Sequence, residues 1–158
     1  IGPIKILVSI MKFSKILFPM NINQFGGEYL KEILLFVEQA EAELHILHVS
    51  ELPPLIPLHE PLTTIEKFSD NISPELLQEK IETEYPPIKR YSYKKTYATR
   101  FGDVSSEVSE YCDELNIDLI ITLHHTHNSL YEFLFHSTDE RIIEKVNKPV
   151  LVLPMPLP

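Results

Sequence analysis

Glycine is scarce in this sequence: there are four in 158 residues, where average usage of about 7% would supply about eleven. Few places are therefore left where backbone can close on a ligand or take positive φ without strain. Basic side chains are outnumbered, 14 Lys and Arg against 23 Asp and Glu, for a net charge of −9. That balance repels a polyphosphate backbone and argues against a nucleic-acid partner. The single cysteine, Cys112, has no internal disulfide partner and suits a reducing compartment. No apolar run reaches the roughly 18–20 residues of a membrane span, and no signal peptide with a cleavage site is found. The expectation is a cytoplasmic chain with no membrane partner.

Apolar residues make up 44% and charged residues 23%, a globular balance, and the length fits one domain with a sizeable core. Residues 1–10 precede Met11 and are read as a leader or upstream extension, with the domain over 11–158. Thirteen prolines gather in 51–61, at 86–87 and near the C-terminus, where they mark loops and ends.

Lys15–Met20 (KILFPM) is a short apolar run ending at Asn21-Ile22-Asn23, as a buried strand and its loop would be. Residues 27–42 repeat Leu30, Ile33, Leu34, Val37 and Ala40 at helical spacing, and Glu43–Val49 (ELHILHV) reads as a second strand. That β-α-β order predicts a parallel pair with a right-handed crossover. Four prolines make 51–62 irregular. Helix resumes about residue 64, breaks near 71–74 with Ser73 as cap and Pro74 in the first turn, and stops at Pro86-Pro87.

Tyr91, Tyr93, Lys95 and Tyr97 alternate with polar residues as an edge strand would. After the Gly102-Asp103 turn, Asp103 or Ser105 caps a helix carrying Val104, Val108, Tyr111, Cys112 and Leu115, with Asn116 as its stop. Asp118–Leu123 (DLIITL) is apolar on both faces, as a central parallel strand should be. A His-rich loop follows, then a helix capped by Ser137 or Thr138 and a last strand at Val150–Leu153. Five strands alternating with four helical segments predict an α/β fold, an open doubly wound parallel sheet. Such sheets bind ligands past the carboxyl ends of their strands, where strand order reverses.

From Lys15 to Leu153 the pattern resembles the universal stress protein family. KILFPMN is similar to the family's opening strand, ELHILHV to its second strand ending in His-Val, and IDLIITL to its D-x-I-I-M-G strand. FGD at 101–103 sits where the family has a Gly before its third helix, and HSTDERIIEKVNKPVLVLP is similar to its ending. The resemblance implies a Rossmann-like, adenine-nucleotide-hydrolase-like sheet of strand order 3-2-1-4-5, with helices on both faces. It also implies a homodimer through the last strand.

Many family members bind ATP or a related nucleotide through G-x2-G-x9-G-(S/T), whose glycines admit phosphate and ribose to backbone N–H groups. The corresponding positions here are Leu123, Thr126 and His136-Ser137. All three glycines are replaced, and Ser137 alone matches. Pro19 is kept near the family's adenine-side loop and Val49 at the end of the second strand, Thr138 follows Ser137, and Asn21 stands where the family has an acidic residue. An amide can still accept and donate, so that change alone is mild. Leu123 and His136 put bulk where phosphate would lie, so no cofactor is expected and ATP or AMP binding in the usual pose is disfavoured.

His124, His125, His127 and His136 are of a type that ligates zinc, nickel or copper; they are read instead as a polar loop at a strand end, and no metal is assigned. His136 beside Ser137 at a helix N-terminus also fits anion capture. No P-loop, G-x-S-x-G or H-E-x-x-H is present, so no catalytic residue is assigned. Cys112, at an apolar helical position, reads as a small buried hydrophobe. Lys89, Arg90, Lys94 and Lys95 among the tyrosines read as guards of an edge strand rather than a base-stacking surface.

The reading adopted is a regulatory or binding domain with a degenerate nucleotide site. It is homodimeric through Val150–Leu153, an apolar edge that pairing would cover, and open to an unidentified protein partner. The alternatives are an adenine-nucleotide-binding member with weak or no ATP hydrolysis, and a metal-responsive domain using the histidines.

Overall fold

A computed structural model describes residues 12–24, 27–50, 72–124 and 146–154. Five strands, β1 (Lys15–Met20), β2 (Glu43–Ser50), β3 (Lys95–Phe101), β4 (Leu119–His124) and β5 (Val150–Pro154), form one sheet of order β3-β2-β1-β4-β5. Every pairing is parallel. The doubly wound sheet and the order 3-2-1-4-5 expected from the sequence are both found.

Three α-helices are described: α1 (Leu30–Ala40), α2 (Pro74–Glu84) and α3 (Val104–Leu115). The capping assignments hold. Ser73 Oγ accepts from the N–H of Leu76 (3.1 Å) with Pro74 in the first turn. Asp103, rather than Ser105, caps α3: its Oδ2 accepts from the N–H of Ser106 (3.0 Å) and from the hydroxyls of Ser105 and Ser106. Asn116 ends α3 in the left-handed region, φ 55°. The helical stretch near 64–71, the Ser137/Thr138 cap and residues 1–10 lie outside the described residues.

Two boundaries differ from the sequence expectation. Helix over 27–42 is a 3-10 turn at Gly27–Tyr29 followed by α1, which stops at Ala40. Glu41 takes the left-handed conformation, φ 53°, and its N–H and that of Ala42 turn back to Glu38 and Val37 carbonyls, releasing the chain into β2. The edge strand begins at Lys95, not Tyr91, because Pro86–Arg90 forms a 3-10 turn and the next residues fold onto the core. There Tyr93 Oη donates to the Leu34 carbonyl (3.0 Å), and the Lys95 ammonium bonds the Tyr91 carbonyl.

The sheet has an apolar layer on each face, so its central strands must be apolar on both sides. Ile16, Phe18, Ile46, Leu119 and Ile121 pack with Ile33, Leu34 and Val37 of α1 and Leu77 and Ile81 of α2. Leu17, Leu47, Val49, Ile117 and Ile120 pack on the other face with Val104, Val108, Tyr111 and Cys112 of α3. Asp118, just before β4, fixes the amino ends of the two central strands. Its Oδ2 accepts from the N–H groups of Ser14 and Lys15, both at 2.9 Å.

Candidate functional site

Strand order reverses at β1, which has β2 on one side and β4 on the other. Towards β2 the ladder runs the whole strand, Lys15↔Glu43 to Met20↔His48. Towards β4 it holds Ile16↔Leu119 and Leu17↔Ile120 and ends there, although both strands continue. The cause is a single residue. The Lys15 carbonyl accepts from the N–H of Asp118 (2.9 Å), so it faces β4, and by alternation the backbone groups of Leu17 and residue 19 face β4 too. Residue 19 is Pro, which has no N–H for the next rung. The carboxyl halves of β1 and β4 therefore part at the position where an open α/β sheet takes its ligand.

Beyond Pro19, the chain is held towards β2. The N–H of Ile22 donates to Nδ1 of His48 (3.2 Å), and His48 Nε2 lies 3.0 Å from Ser50 Oγ. A backbone N–H can only donate, so Nδ1 is unprotonated and Nε2–H is free to donate to Ser50. His48 is 1% exposed. Asn21 closes a local turn, its Oδ1 accepting from the N–H of Asn23 (2.9 Å).

The sequence-selected residues fall into three groups. Pro19 and Val49 are buried and Asn21 is half-buried at the carboxyl ends of β1 and β2, and these are brought together. Leu123 and His124 close β4, their backbones paired with Leu153 and Pro154 of β5. Thr126, His136, Ser137 and Thr138, with His125 and His127, lie outside the described residues. Among the described residues no group of three His, Cys, Asp or Glu side chains is placed to hold a metal. Gly102 sits at its expected turn with φ 143°, its N–H donating to the Ser50 carbonyl (3.0 Å); a Cβ there would stand 2.9 Å from Glu107 Oε1.

Sequence reasoning passed over Thr122 and the two histidines of ELHILHV. Thr122 is 1% exposed, and its hydroxyl has no hydrogen-bond partner among the described residues. His45 and His48 carried a visible signal, since an imidazole in a buried strand must find partners. His45 lies between Glu43 Oε1 (2.8 Å from Nε2) and Tyr111 Oη (2.7 Å from Nδ1). A hydrogen bond from His45 is the main reason the Glu43 carboxyl lies below the usual carboxylate range. Carboxylate, imidazole and hydroxyl stand in the order of an acid–base chain, yet His45 and Tyr111 are 2% and 3% exposed. No substrate reaches them, and the chain acts as a strap between β2 and α3.

Two other readings of the sequence meet the structure directly. Cys112 is fully buried, and burial pushes its thiol up to about 12, so it is unreactive. Tyr91, Tyr93 and Tyr97 pack against the core rather than presenting open rings for stacking.

An open parallel sheet, reversing at its first strand and parted at the carboxyl end of that reversal, defines a doubly wound α/β protein. The chain belongs to the universal stress protein family, whose model matches residues 12–154. It is 25% identical over 153 residues to Universal stress protein MJ0577 of Methanocaldococcus jannaschii, covering 89% of this chain and 94% of that protein. The solved structure of MJ0577 superposes with a TM-score of 0.57, covering 94% of this chain and all of that one. UspA from Lactobacillus plantarum gives a TM-score of 0.66 at 16% identity, covering 90% of this chain and 99% of that one. A family protein from Arabidopsis thaliana, solved with AMP bound, gives 0.51 at 13% identity, covering 90% and 92%. The last two are likenesses of fold.

Proposed function

We propose that this universal stress protein domain is a regulatory binding module, not an enzyme. Its crevice between β1 and β4 takes a small ligand but not ATP in the family's usual pose. The observation that carries this reading is Leu123, which continues β4 as a ladder partner of Leu153. A phosphate cradle needs successive backbone N–H groups converging on the ligand, as a glycine-rich turn gives, whereas an extended strand alternates its N–H groups between two sides and offers the crevice at most every second one. Charge points the same way. Phe18–Gln24, Leu47–Ser50 and Ile120–His124 contain no Lys, Arg, Asp or Glu, so nothing in these segments offers a phosphate a permanent countercharge.

Further parts of the reading concern setting. The apolar strand Val150–Leu153 closes one edge of the sheet, and we expect it to pair with its symmetry mate in a homodimer. No described helix is long and apolar enough to cross a membrane, and a cytoplasmic location is proposed. A second reading, adenine-nucleotide binding with weak or no hydrolysis, is favoured by the AMP found in the Arabidopsis protein. A thermal-shift screen with ATP, ADP, AMP, Zn²⁺ and Ni²⁺ tests the ligand readings, and sedimentation at micromolar concentration tests the homodimer. No shift with nucleotides or metals is expected; a saturable shift with ATP favours the second reading, and one with a metal favours the histidines.

A further inference from the structure

We propose that the free edge of β3 is a docking site for an acidic, extended peptide segment of a partner protein, which adds to the sheet as one more strand. β2 separates this edge from the crevice, and the dimer proposed through β5 uses the opposite edge, so the inference stands apart from both.

The backbone shows what the edge offers. β3 pairs with β2 alone. The Lys94 carbonyl accepts from the N–H of Leu44 (2.9 Å), and the N–H of Gly102 donates to the Ser50 carbonyl (3.0 Å), so Thr96, Ala98 and Arg100 between them turn their backbone groups to β2. Lys95, Tyr97, Thr99 and Phe101 turn theirs outward, and none of these N–H or C=O groups is hydrogen-bonded among the described residues. Such a row is a template for a further strand. The side chain of Phe101, 46% exposed, ends the row as an uncovered apolar anchor.

Charge decides which strand it takes. Between Glu84 and Asp103 the chain holds five basic residues, Lys89, Arg90, Lys94, Lys95 and Arg100, and no acidic one, although its net charge is −9. Arg100 is matched by Glu107 and Glu114, and Lys89 reaches Glu82 at 3.7 Å. Arg90, Lys94 and Lys95 form no ion pair among the described residues. The Lys95 ammonium holds the Tyr91 carbonyl, which keeps Arg90 close to the start of β3, and both Arg90 and Lys94 are exposed. A second copy meeting this edge would bring like charge against like, whereas an acidic strand meets attraction. Lysines that keep identical edges apart thereby admit a partner of opposite charge. Nucleic acid fits less well, because Tyr91, Tyr93 and Tyr97 pack against the core and what is left open is a row of peptide groups.

The probes are the capped peptide Val-Phe-Val-Thr-Val-Glu-Glu-Asp and the same sequence reversed, with Lys in place of the acidic residues as control, titrated into the full chain and followed by amide NMR and hydrogen exchange. In the free chain the N–H groups of Tyr97 and Thr99 are expected to exchange faster than those of Thr96 and Ala98. An acidic peptide, in one direction or the other, should protect the first pair and leave the second unchanged. Affinity should fall at least about tenfold when Arg90→Glu and Lys94→Glu are combined, and should weaken as salt rises. Thr99→Pro removes an outward N–H and no rung to β2, so it should abolish binding while the rest of the spectrum stays native. Protection of Tyr97 and Thr99 in the free chain, equal binding of the Lys control, or binding unmoved by the variants overturns the inference. So does no binding of either acidic peptide at millimolar concentration, or tighter binding of an oligouridylate at the same edge.

Discussion

The N–H of Ile22 donates to Nδ1 of His48 across 3.2 Å, so the first turn beyond β1 hangs on the last residues of β2. This bond lies one strand away from the missing rung at Pro19, and together they place the β1 loop on the β2 side of the crevice. His48→Ala leaves the Ile22 N–H without its acceptor and opens a cavity, and should cost about 2–3 kcal/mol. Urea unfolding measures the loss, and faster amide exchange at Ile22 locates it.

Gly27 is required by packing. A Cβ at this residue would stand 2.5 Å from the Glu84 carbonyl oxygen, backbone that cannot swing aside. Gly27→Ala should destabilise by about 1–3 kcal/mol through displacement of the end of α2, read as a lower midpoint in urea.

Tyr97 carries a buried hydroxyl with no partner among the described residues. Removing an unsatisfied group relieves a desolvation penalty, so Tyr97→Phe should be neutral or stabilising by up to about 1 kcal/mol. A loss above that in thermal unfolding would show that the hydroxyl is satisfied.

Burial raises the phenols of Tyr97 and Tyr111 to about 12. A folded pKa above the unfolded value near 10 means that their stabilisation is complete below about pH 10 and is lost as pH rises from there through about 12. Absorbance at high pH should show these phenols ionising later than free tyrosine, with unfolding setting in over the same interval. Glu43 works in the opposite sense. Held below the usual range first by its hydrogen bond with His45, it contributes above its unfolded pKa and loses that contribution as pH falls through its folded pKa. Glu43→Gln should flatten that part of the acid profile.

Much of the fold was legible because it is written in short-range signals. Ser73-Pro74, Asp103 and Asn116 announced helix ends through chemistry local to each residue, and the apolar runs of β1, β2 and β4 announced buried parallel strands. The boundaries that moved depended on distant partners. Tyr91 and Tyr93 alternate like strand residues, but the bond from Tyr93 to Leu34, 59 residues away, holds them off the sheet. The strand ends were legible in outline, since Pro19, Asn21 and Val49 lie at the carboxyl ends of β1 and β2 as the apolar runs predicted. The direction of the Asn21 amide was not, because it is set by one backbone N–H whose position no composition or spacing reveals. Thr122 was hidden for the same reason: a Thr in a strand is ordinary until its hydroxyl is found to have no partner among the described residues.

The absence of a phosphate cradle is tested most directly by calorimetric titration of the full chain with ATP and magnesium at micromolar concentrations. With Leu123 extended in β4 and no charged residue in the carboxyl-end segments of β1, β2 and β4, no saturable heat is expected. Saturable binding in that range, reduced by Ser137→Ala, would contradict this reading and restore the nucleotide pose of the family.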